Sequence, residues 1–304
     1  MNEYKLLRVG FIGLGTMGLG MARNLAAARF PLTLATRTPG KAARIAAELG
    51  GEASGVSAVG TAREVAAASD VVVSSVPDSP EVEAVHLGPD GTAAGAAPGT
   101  IVIDTSTIAP DAARSIAERL LARSIPFLDS PVSGGEKGAR EGTLTFFVGG
   151  EAAALERARP VFAAMGKRIT RLGPSGSGQL GKAVNQVIVA GNLMAACEGI
   201  ALAEKAGLPL ETLHSALTAG AASSWALEVL GRKMIDGDFA PAFAIKHQQK
   251  DLAIVLSTAR KHGVPLPGAS LVHQLLTALE AAGRGEDGTQ TLLTLYRRLS
   301  SPPA

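Results

Sequence analysis

An α/β fold leading into an all-helical second half is the class expected for this chain, and three observations carry it. As far as Leu172, short apolar runs alternate with helical patterns, as strand–helix–strand units around a parallel sheet require. Beyond Gly176 every periodic stretch is helical. Where the patterns meet, Gly176 opens a long helical run reaching about Gly207, a linking helix that belongs to both halves. The boundary is therefore placed with residues 1–173 in the α/β domain and 174–304 in the all-α domain. A chain of 304 residues suits two domains at roughly 100–200 residues each.

The chain is 46% hydrophobic and 18% charged, enough apolar material for a core and too little charge for long disordered tracts. Aromatic residues make up 4%, so the core must rest on Ala, Val, Leu and Ile. The net charge is +2 and the basic residues are dispersed, which argues against nucleic acid and an anionic membrane as partners. Cys197, the single cysteine, rules out an internal disulfide and a cysteine metal cluster; in an apolar helical run it is expected to be packing. His214, His247, His262 and His273 show no ligand spacing, so no metal is assigned. The N-terminus lacks the pattern of a signal peptide. The longest apolar run, residues 187–197, is broken by Asn192 and falls short of the roughly 20 residues a membrane span needs. A soluble, cytoplasmic protein is expected.

Residues 6–12 form a continuous apolar run, the pattern of a buried parallel strand, and end in Gly13-Leu14-Gly15-Thr16-Met17-Gly18; residues 17–28 are then helical. A G-x-G-x-x-G that follows a strand and opens a helix gives its glycines separate tasks. They allow a tight turn, close approach of backbone to a pyrophosphate, and close helix–strand packing, while the helix start offers free N–H groups to the phosphates. The first domain is therefore read as a dinucleotide-binding domain. At the end of the second strand, residues 32–35, an NAD site would carry an acid for the ribose 2′-hydroxyl. Thr36-Arg37-Thr38 stands there instead. No carboxylate repels a 2′-phosphate, Arg37 offers it a planar cationic fork and Thr38 a hydroxyl, so NADP (NADPH) is the expected cofactor, with NAD possible. A solvated arginine after a strand is the plainer alternative.

Residues 40–49 are helical, and the Gly- and Ser-containing segment to Gly60 receives no element. Strands are expected at 71–75, 101–104, 127–128, 142–148 and 168–172, with helices at 110–123, where Pro110 suits the first turn, and at 152–165. Val76-Pro77-Asp78 closes the third strand at its carboxyl end, where open α/β sheets bind ligands. In the loop Asp129-Ser130-Pro131-Val132-Ser133-Gly134-Gly135 the two glycines leave backbone N–H groups uncovered and Ser133 adds a hydroxyl, which suits a substrate carboxylate. A plain turn explains the glycines equally well.

Lys182, Asn185 and Gln186 lie at i, i+3 and i+4 of the long helical run and share one face, continued by Val189 and Asn192. A lysine with two amides at a domain junction, where ligand sites commonly lie, can protonate a carbonyl and hold its substituents. A solvated lysine near a helix start is the bland reading. Further helices are expected near 210–219, 224–234, 246–262 and 269–282. Lys250, in the third of these, either reaches the cofactor or is a surface lysine. Trp225 is assigned to core or interface. The second half has more apolar helix face than it can bury alone, so partner chains, in a homodimer or homotetramer, are expected to cover some of it.

Five ordered stretches together resemble the β-hydroxyacid dehydrogenase (3-hydroxyisobutyrate dehydrogenase-like) family over essentially the whole chain. They are Gly10-Phe11-Ile12-Gly13-Leu14-Gly15-Thr16-Met17-Gly18, residues 104–110, residues 129–135 with Gly142-Thr143-Leu144, residues 176–186, and Lys250-Asp251-Leu252. The resemblance implies a Rossmann-type domain, a linking helix and an all-helical domain used in oligomerisation. It implies Lys182 as the catalytic lysine with Asn185 and Gln186 beside it, the Ser133-Gly134-Gly135 loop as the seat of the substrate carboxylate, and Val76, Pro77, Thr107 and Lys250 at the nicotinamide end of the cofactor. Many members carry two asparagines after the lysine. Asn185-Gln186-Val187-Ile188-Val189-Ala190 and Val76-Pro77-Asp78-Ser79-Pro80 look instead like the tartronate semialdehyde reductase (2-hydroxy-3-oxopropionate reductase) branch. The implied partner is a small β-oxo or β-hydroxy acid, with tartronate semialdehyde reduced to glycerate as the first reading and 3-hydroxyisobutyrate dehydrogenase as the second. Imine reductases share the fold and usually lack this lysine. A non-catalytic NADP-binding module would need neither Lys182, Asn185 nor the substrate loop.

Overall fold

The computed structural model describes residues 7–300, so Leu6, the first residue of the expected opening strand, lies outside the described residues. Two compact units divide the chain, Met1–Lys182 and Ala183–Ala304. The first is built on nine strands: β1 (Val9–Ile12), β2 (Leu32–Ala35), β3 (Val56–Ala58), β4 (Val71–Ser74), β5 (Ile101–Asp104), β6 (Phe127–Asp129), β7 (Val132–Ser133), β8 (Leu144–Gly149) and β9 (Gly166–Gly173). Their order is β3-β2-β1-β4-β5-β6-β8-β7, with β9 beside β8. Every pairing among β1–β6 is parallel; β8 runs antiparallel to β6 and β7 and parallel to β9.

A strand turns successive side chains to opposite faces, and the continuous apolar runs fill both. Phe11, Leu34, Val73 and Ile103 enter one core with Met21 and Leu25 of helix Thr16–Ala27 and Phe162 of helix Ala152–Met165. Ile12, Val72, Val102 and Phe127 enter the other with Val82 of helix Ser79–Leu87 and Ile116 and Leu120 of helix Pro110–Leu121. The edge strand β9 keeps Lys167, Arg168 and Arg171 exposed, and charge on an edge discourages pairing with another chain.

Strands β3 and β7 and helices Ala62–Ala67, Ser79–Leu87, Thr92–Gly95, Gly135–Glu141 and Leu292–Leu299 had no counterpart in the sequence reading. β3 has three residues and β7 two, too short to show a period. Helix Ala62–Ala67 did carry a readable signal, a capping box in which Thr61 Oγ1 accepts from Glu64 N–H (3.1 Å) and Glu64 Oε2 accepts from Thr61 N–H (2.9 Å).

The second unit takes most of helix Ser177–Lys205, followed by Leu210–Thr218, a π-helical segment Ala226–Gly231 running into Arg232–Ile235, then Ile245–Lys261, Pro267–Ala281 and Leu292–Leu299. Its core gathers Leu193, Cys197, Met234, Leu252, Val272 and Leu276. Cys197 is packing, and burial pushes its thiol well above the usual range. Helix Ser177–Lys205 is long and apolar enough, by length and composition alone, to cross a membrane, although its uninterrupted apolar run is short. Glycine and alanine extend the apolar stretch that Asn192 seemed to break. Ala190, Leu193, Cys197 and Ile200 place it in the core of its unit.

The parallel register ends five strands on one row: Ala35 opposite Ile12, Ile12 opposite Ser74, Ser74 opposite Asp104, Asp104 opposite Asp129. Three of these side chains are polar, and all three are fully buried. Ser74 Oγ donates to Asp104 Oδ1 (2.7 Å) and meets His86 Nε2 (2.9 Å), while His86 Nδ1 meets Thr92 Oγ1 (3.1 Å). Burial pushes the His86 imidazole down to about 3. The unfolded chain takes up a proton below the ordinary 6.5 and the folded chain does not, so stability present above that pH is lost as pH falls towards 3, at up to about 1.4 kcal/mol per pH unit. Urea denaturation from pH 7 to pH 4 should therefore show the wild type losing stability relative to His86→Gln. Parallel curves for the two proteins would mean that the folded state accepts the proton.

Candidate active site

The glycine turn after β1 has three distinct constraints. Gly13 sits at φ +94°, and a Cβ there would lie 2.2 Å from the Ser75 carbonyl oxygen just beyond β4. A Cβ on Gly18 would lie 1.9 Å from the Gly13 carbonyl oxygen, so the helix starts hard against the turn. Gly15, exposed at the N-cap, meets nothing within 4 Å of where its Cβ would be. Two glycines are required by the protein's own packing, and the third keeps an open face over a helix start with no side-chain cap. That opening fits a dinucleotide pyrophosphate. Leu14 is buried beneath it, Thr16 is exposed and Met17 half-buried at its border. It lies where β1 has β2 on one side and β4 on the other, the switch point of the sheet.

Gly13 N–H donates to the Ala35 carbonyl (3.0 Å), which brings the end of β2 against this turn. Thr36 is half-buried there, and Arg37 and Thr38 are exposed. On the other side, the loops after β4 and β5 are tied together. Val76 N–H donates to Ser106 Oγ (3.0 Å), and Ser106 O–H donates to Asp104 Oδ1 (2.7 Å). Pro77 is exposed and Thr107 half-buried at this end of the sheet.

The segment expected as one loop, residues 129–135, is more ordered than that. Ser133 is half-buried on β7 opposite Thr145, and Gly134 (φ +132°) and Gly135 (φ +62°) turn the chain into helix Gly135–Glu141 with both glycines exposed. Asp129 is buried at the head of the segment. Its Oδ1 accepts from Gly176 N–H (2.8 Å) and its Oδ2 from Gln179 N–H (3.0 Å), at the start of helix Ser177–Lys205. Burial pushes this carboxyl up to about 6 against the opposing pull of those hydrogen bonds, and the nearby Asp104 adds to the rise. Gln179 is buried as well: its Oε1 accepts from Ile108 N–H (3.1 Å) and its Nε2 donates to the Ser106 carbonyl (2.8 Å). Lys182, three residues further along this helix, is 8% exposed. Asp129 and Gln179 stood in recognised motifs with no role attached; nothing in their spacing shows that they hold each other's segments.

In the second unit, Asn185 is half-buried and Gln186 buried. Asn185 Nδ2 donates to Gln186 Oε1 (2.9 Å), and Gln186 Nε2 donates to the buried Asp251 Oδ2 (2.7 Å), whose other oxygen pairs with Lys250 Nζ (3.1 Å). Both ends of the Gln186 amide are thus engaged by the protein. The picture of two amides open to a ligand is modified: Gln186 holds Asn185, and Lys250 is joined to the same chain of contacts. Asp251, unassigned from the sequence, closes that chain.

Residues 8–173 match the family described as the NAD binding domain of 6-phosphogluconate dehydrogenase, and residues 176–296 match the NAD-binding domain of NADP-dependent 3-hydroxyisobutyrate dehydrogenase. The chain is 42% identical to 2-hydroxy-3-oxopropionate reductase of Escherichia coli over 91% of its own length and 92% of that protein's. It belongs to the β-hydroxyacid dehydrogenase family. Among other relatives, an NAD-dependent L-serine dehydrogenase of Pseudomonas aeruginosa is 38% identical over 95% of this chain and 97% of that one. The crystal structure of 3-hydroxyisobutyrate dehydrogenase from Salmonella typhimurium superposes with a TM-score of 0.84 at 34% identity, covering 95% of this chain and 99% of the other.

As a β-hydroxyacid dehydrogenase the protein is an NAD(P)-dependent oxidoreductase acting on hydroxyacids. Its glycine turn then separates folding from cofactor binding in a testable way. Gly15→Ala should leave stability within about 0.5 kcal/mol of wild type and raise the dissociation constant of the reduced nicotinamide dinucleotide, NADH or NADPH, at least ~10-fold by occupying the open face. Gly18→Ala should cost about 1–3 kcal/mol, the range for overpacking. Thermal denaturation with fluorescence titration of NADH and NADPH measures both; unchanged affinity for the two in Gly15→Ala would remove the dinucleotide phosphates from this turn.

Proposed function

We propose that this β-hydroxyacid dehydrogenase is an NADPH-dependent reductase of small β-oxo acids, with tartronate semialdehyde reduced to glycerate as its reaction. The observation that carries this reading is the buried Lys182, one turn along a helix whose start is pinned to the carboxyl ends of β5 and β6. When bound, the nicotinamide cofactor would supply hydride-transfer chemistry at the aldehyde carbon. The oxygen of that carbon becomes an alkoxide and needs a proton, which the Lys182 ammonium gives in reduction and the amine takes back in oxidation. Asn185, steadied by Gln186 and Asp251, orients the substrate. The exposed backbone of Gly134 and Gly135 and the Ser133 hydroxyl hold its carboxylate, and Val76, Pro77, Thr107 and Lys250 serve the nicotinamide end. Arg37 and Thr38 receive the 2′-phosphate. Tartronate semialdehyde is favoured by the 42% identity to a 2-hydroxy-3-oxopropionate reductase and by the glutamine at 186. The likeness to a solved 3-hydroxyisobutyrate dehydrogenase supports methylmalonate semialdehyde as the second reading. Exposed Val184, Ile188, Leu202 and Trp225 support a homo-oligomer that covers them, and the single buried cysteine suits the cytoplasm.

Lys182→Ala should lose roughly 10²–10⁴ in turnover and still bind NADPH; turnover within about threefold of wild type would remove the lysine from the chemistry. Arg37→Ala should erase a roughly ten- to hundredfold preference for NADPH over NADH, mainly through the Michaelis constant. Equal use of both cofactors by the wild type would show that this loop does not select phosphate. With NADPH, the ratio of kcat/KM for tartronate semialdehyde over methylmalonate semialdehyde is expected to exceed one, and a ratio below one moves the protein to the second reading.

A further inference from the structure

We propose that Asp129 is a positioning residue for Lys182: its carboxylate, gripping the first turn of helix Ser177–Lys205, sets where the lysine ammonium stands over the carboxyl end of the sheet. This rests on the reading of Lys182 as the proton donor and adds a residue that acts through it.

Asp129 is 0% exposed, and its two oxygens take two different backbone donors, Gly176 N–H and Gln179 N–H, 2.8 and 3.0 Å away. The first N–H groups of a helix have no partner within it, so an anion that accepts two of them fixes both its start and its axis. The surroundings are shaped to the carboxylate. A Cβ on Gly149 would lie 2.4 Å from Oδ1, and a Cβ on Gly178 would lie 2.9 Å from Oδ2. Those glycines leave room for the carboxylate where a side chain at either position would crowd it. One link further, Gln179 is joined to the Ile108 N–H and the Ser106 carbonyl, so the helix start is held against the loop after β5 as well. Lys182 follows Gln179 by three residues and so lies on the neighbouring helix position, carried by whatever fixes that turn. Asp129 also closes β6 opposite Asp104 and opens the segment that leads to Ser133. A single carboxylate thereby relates the lysine to the strand end from which the proposed carboxylate-binding segment departs.

Asp129→Asn keeps the size and removes one acceptor, leaving two N–H donors to share one oxygen. In this variant kcat should fall roughly 10–100-fold, the scale of a small misplacement of a reacting group. The NADPH dissociation constant should stay within about threefold of wild type. The decisive measurement is the same substitution in a Lys182→Ala background, by single-turnover reduction followed for hours so that slow residual rates are read. A residue that acts through the lysine has nothing left to position there, so Asp129→Asn should change the residual rate by less than about threefold. An equal loss in both backgrounds, or a loss confined to KM or to cofactor affinity, overturns the proposal. A Lys182→Ala enzyme with wild-type turnover removes the lysine reading and this proposal with it, an outcome recognised from that variant alone. If Asp129→Asn does not fold, Asp129→Glu keeps the charge and moves both acceptor oxygens by one methylene away from the Gly176 and Gln179 N–H groups. It carries the same expectations in the two backgrounds.

Discussion

Parallel register is the constraint from which the site follows. Neighbouring strands β2, β1, β4, β5 and β6 all run the same way and stop on one row, so every loop that leaves the row emerges on the same edge of the sheet. The row is apolar where β2 and β1 end, at Ala35 and Ile12, and polar where β4, β5 and β6 end, at Ser74, Asp104 and Asp129. The glycine turn stands over the apolar part and needs only open backbone. The loops after β4, β5 and β6 stand over the polar part and are tied down by it.

Two buried carboxylates so close would be costly without partners, since desolvation penalises each charge and Asp104 adds to the rise in Asp129's affinity for protons. The structure offsets this with donors drawn from the segments that need holding. Asp104 receives Ser74 and Ser106, and through Ser106 reaches the Val76 backbone. Asp129 receives the first turn of the long helix. Losing one buried acceptor from such a set typically costs about 1–3 kcal/mol, because the abandoned donor stays dry. The same hydrogen bonds that make the acids tolerable therefore also restrict the loops and the helix.

Within the second unit a similar economy applies to Gln186. A glutamine beside an asparagine suggests two amides facing a ligand, yet Asp251 takes the Gln186 amide hydrogens and Asn185 fills its carbonyl. Gln186 thereby fixes the asparagine and has no amide group left over from these two contacts.

Much was legible in the amino-acid sequence alone. Periodicity placed the main strands of the sheet and the helices Lys41–Glu48, Pro110–Leu121, Ala152–Met165 and Ser177–Lys205 to within a few residues, because each is long enough to show its period and is bounded by Gly or Pro. The G-x-G-x-x-G and the absence of an acid after β2 are local signals, written in consecutive residues. What stayed hidden were elements too short to have a period, such as β3 and β7, and contacts between residues distant in the chain. Asp129 meets Gly176 and Gln179 across some fifty residues, and Gln186 meets Asp251 across 65. No spacing encodes such pairs, since they exist only once the sheet's register and the helix's course have brought the segments together. Residue type and local order thus determined which chemistry the chain could hold. Tertiary packing decided which of its polar groups are engaged within the protein, because a buried donor or acceptor must find a partner wherever the fold supplies one.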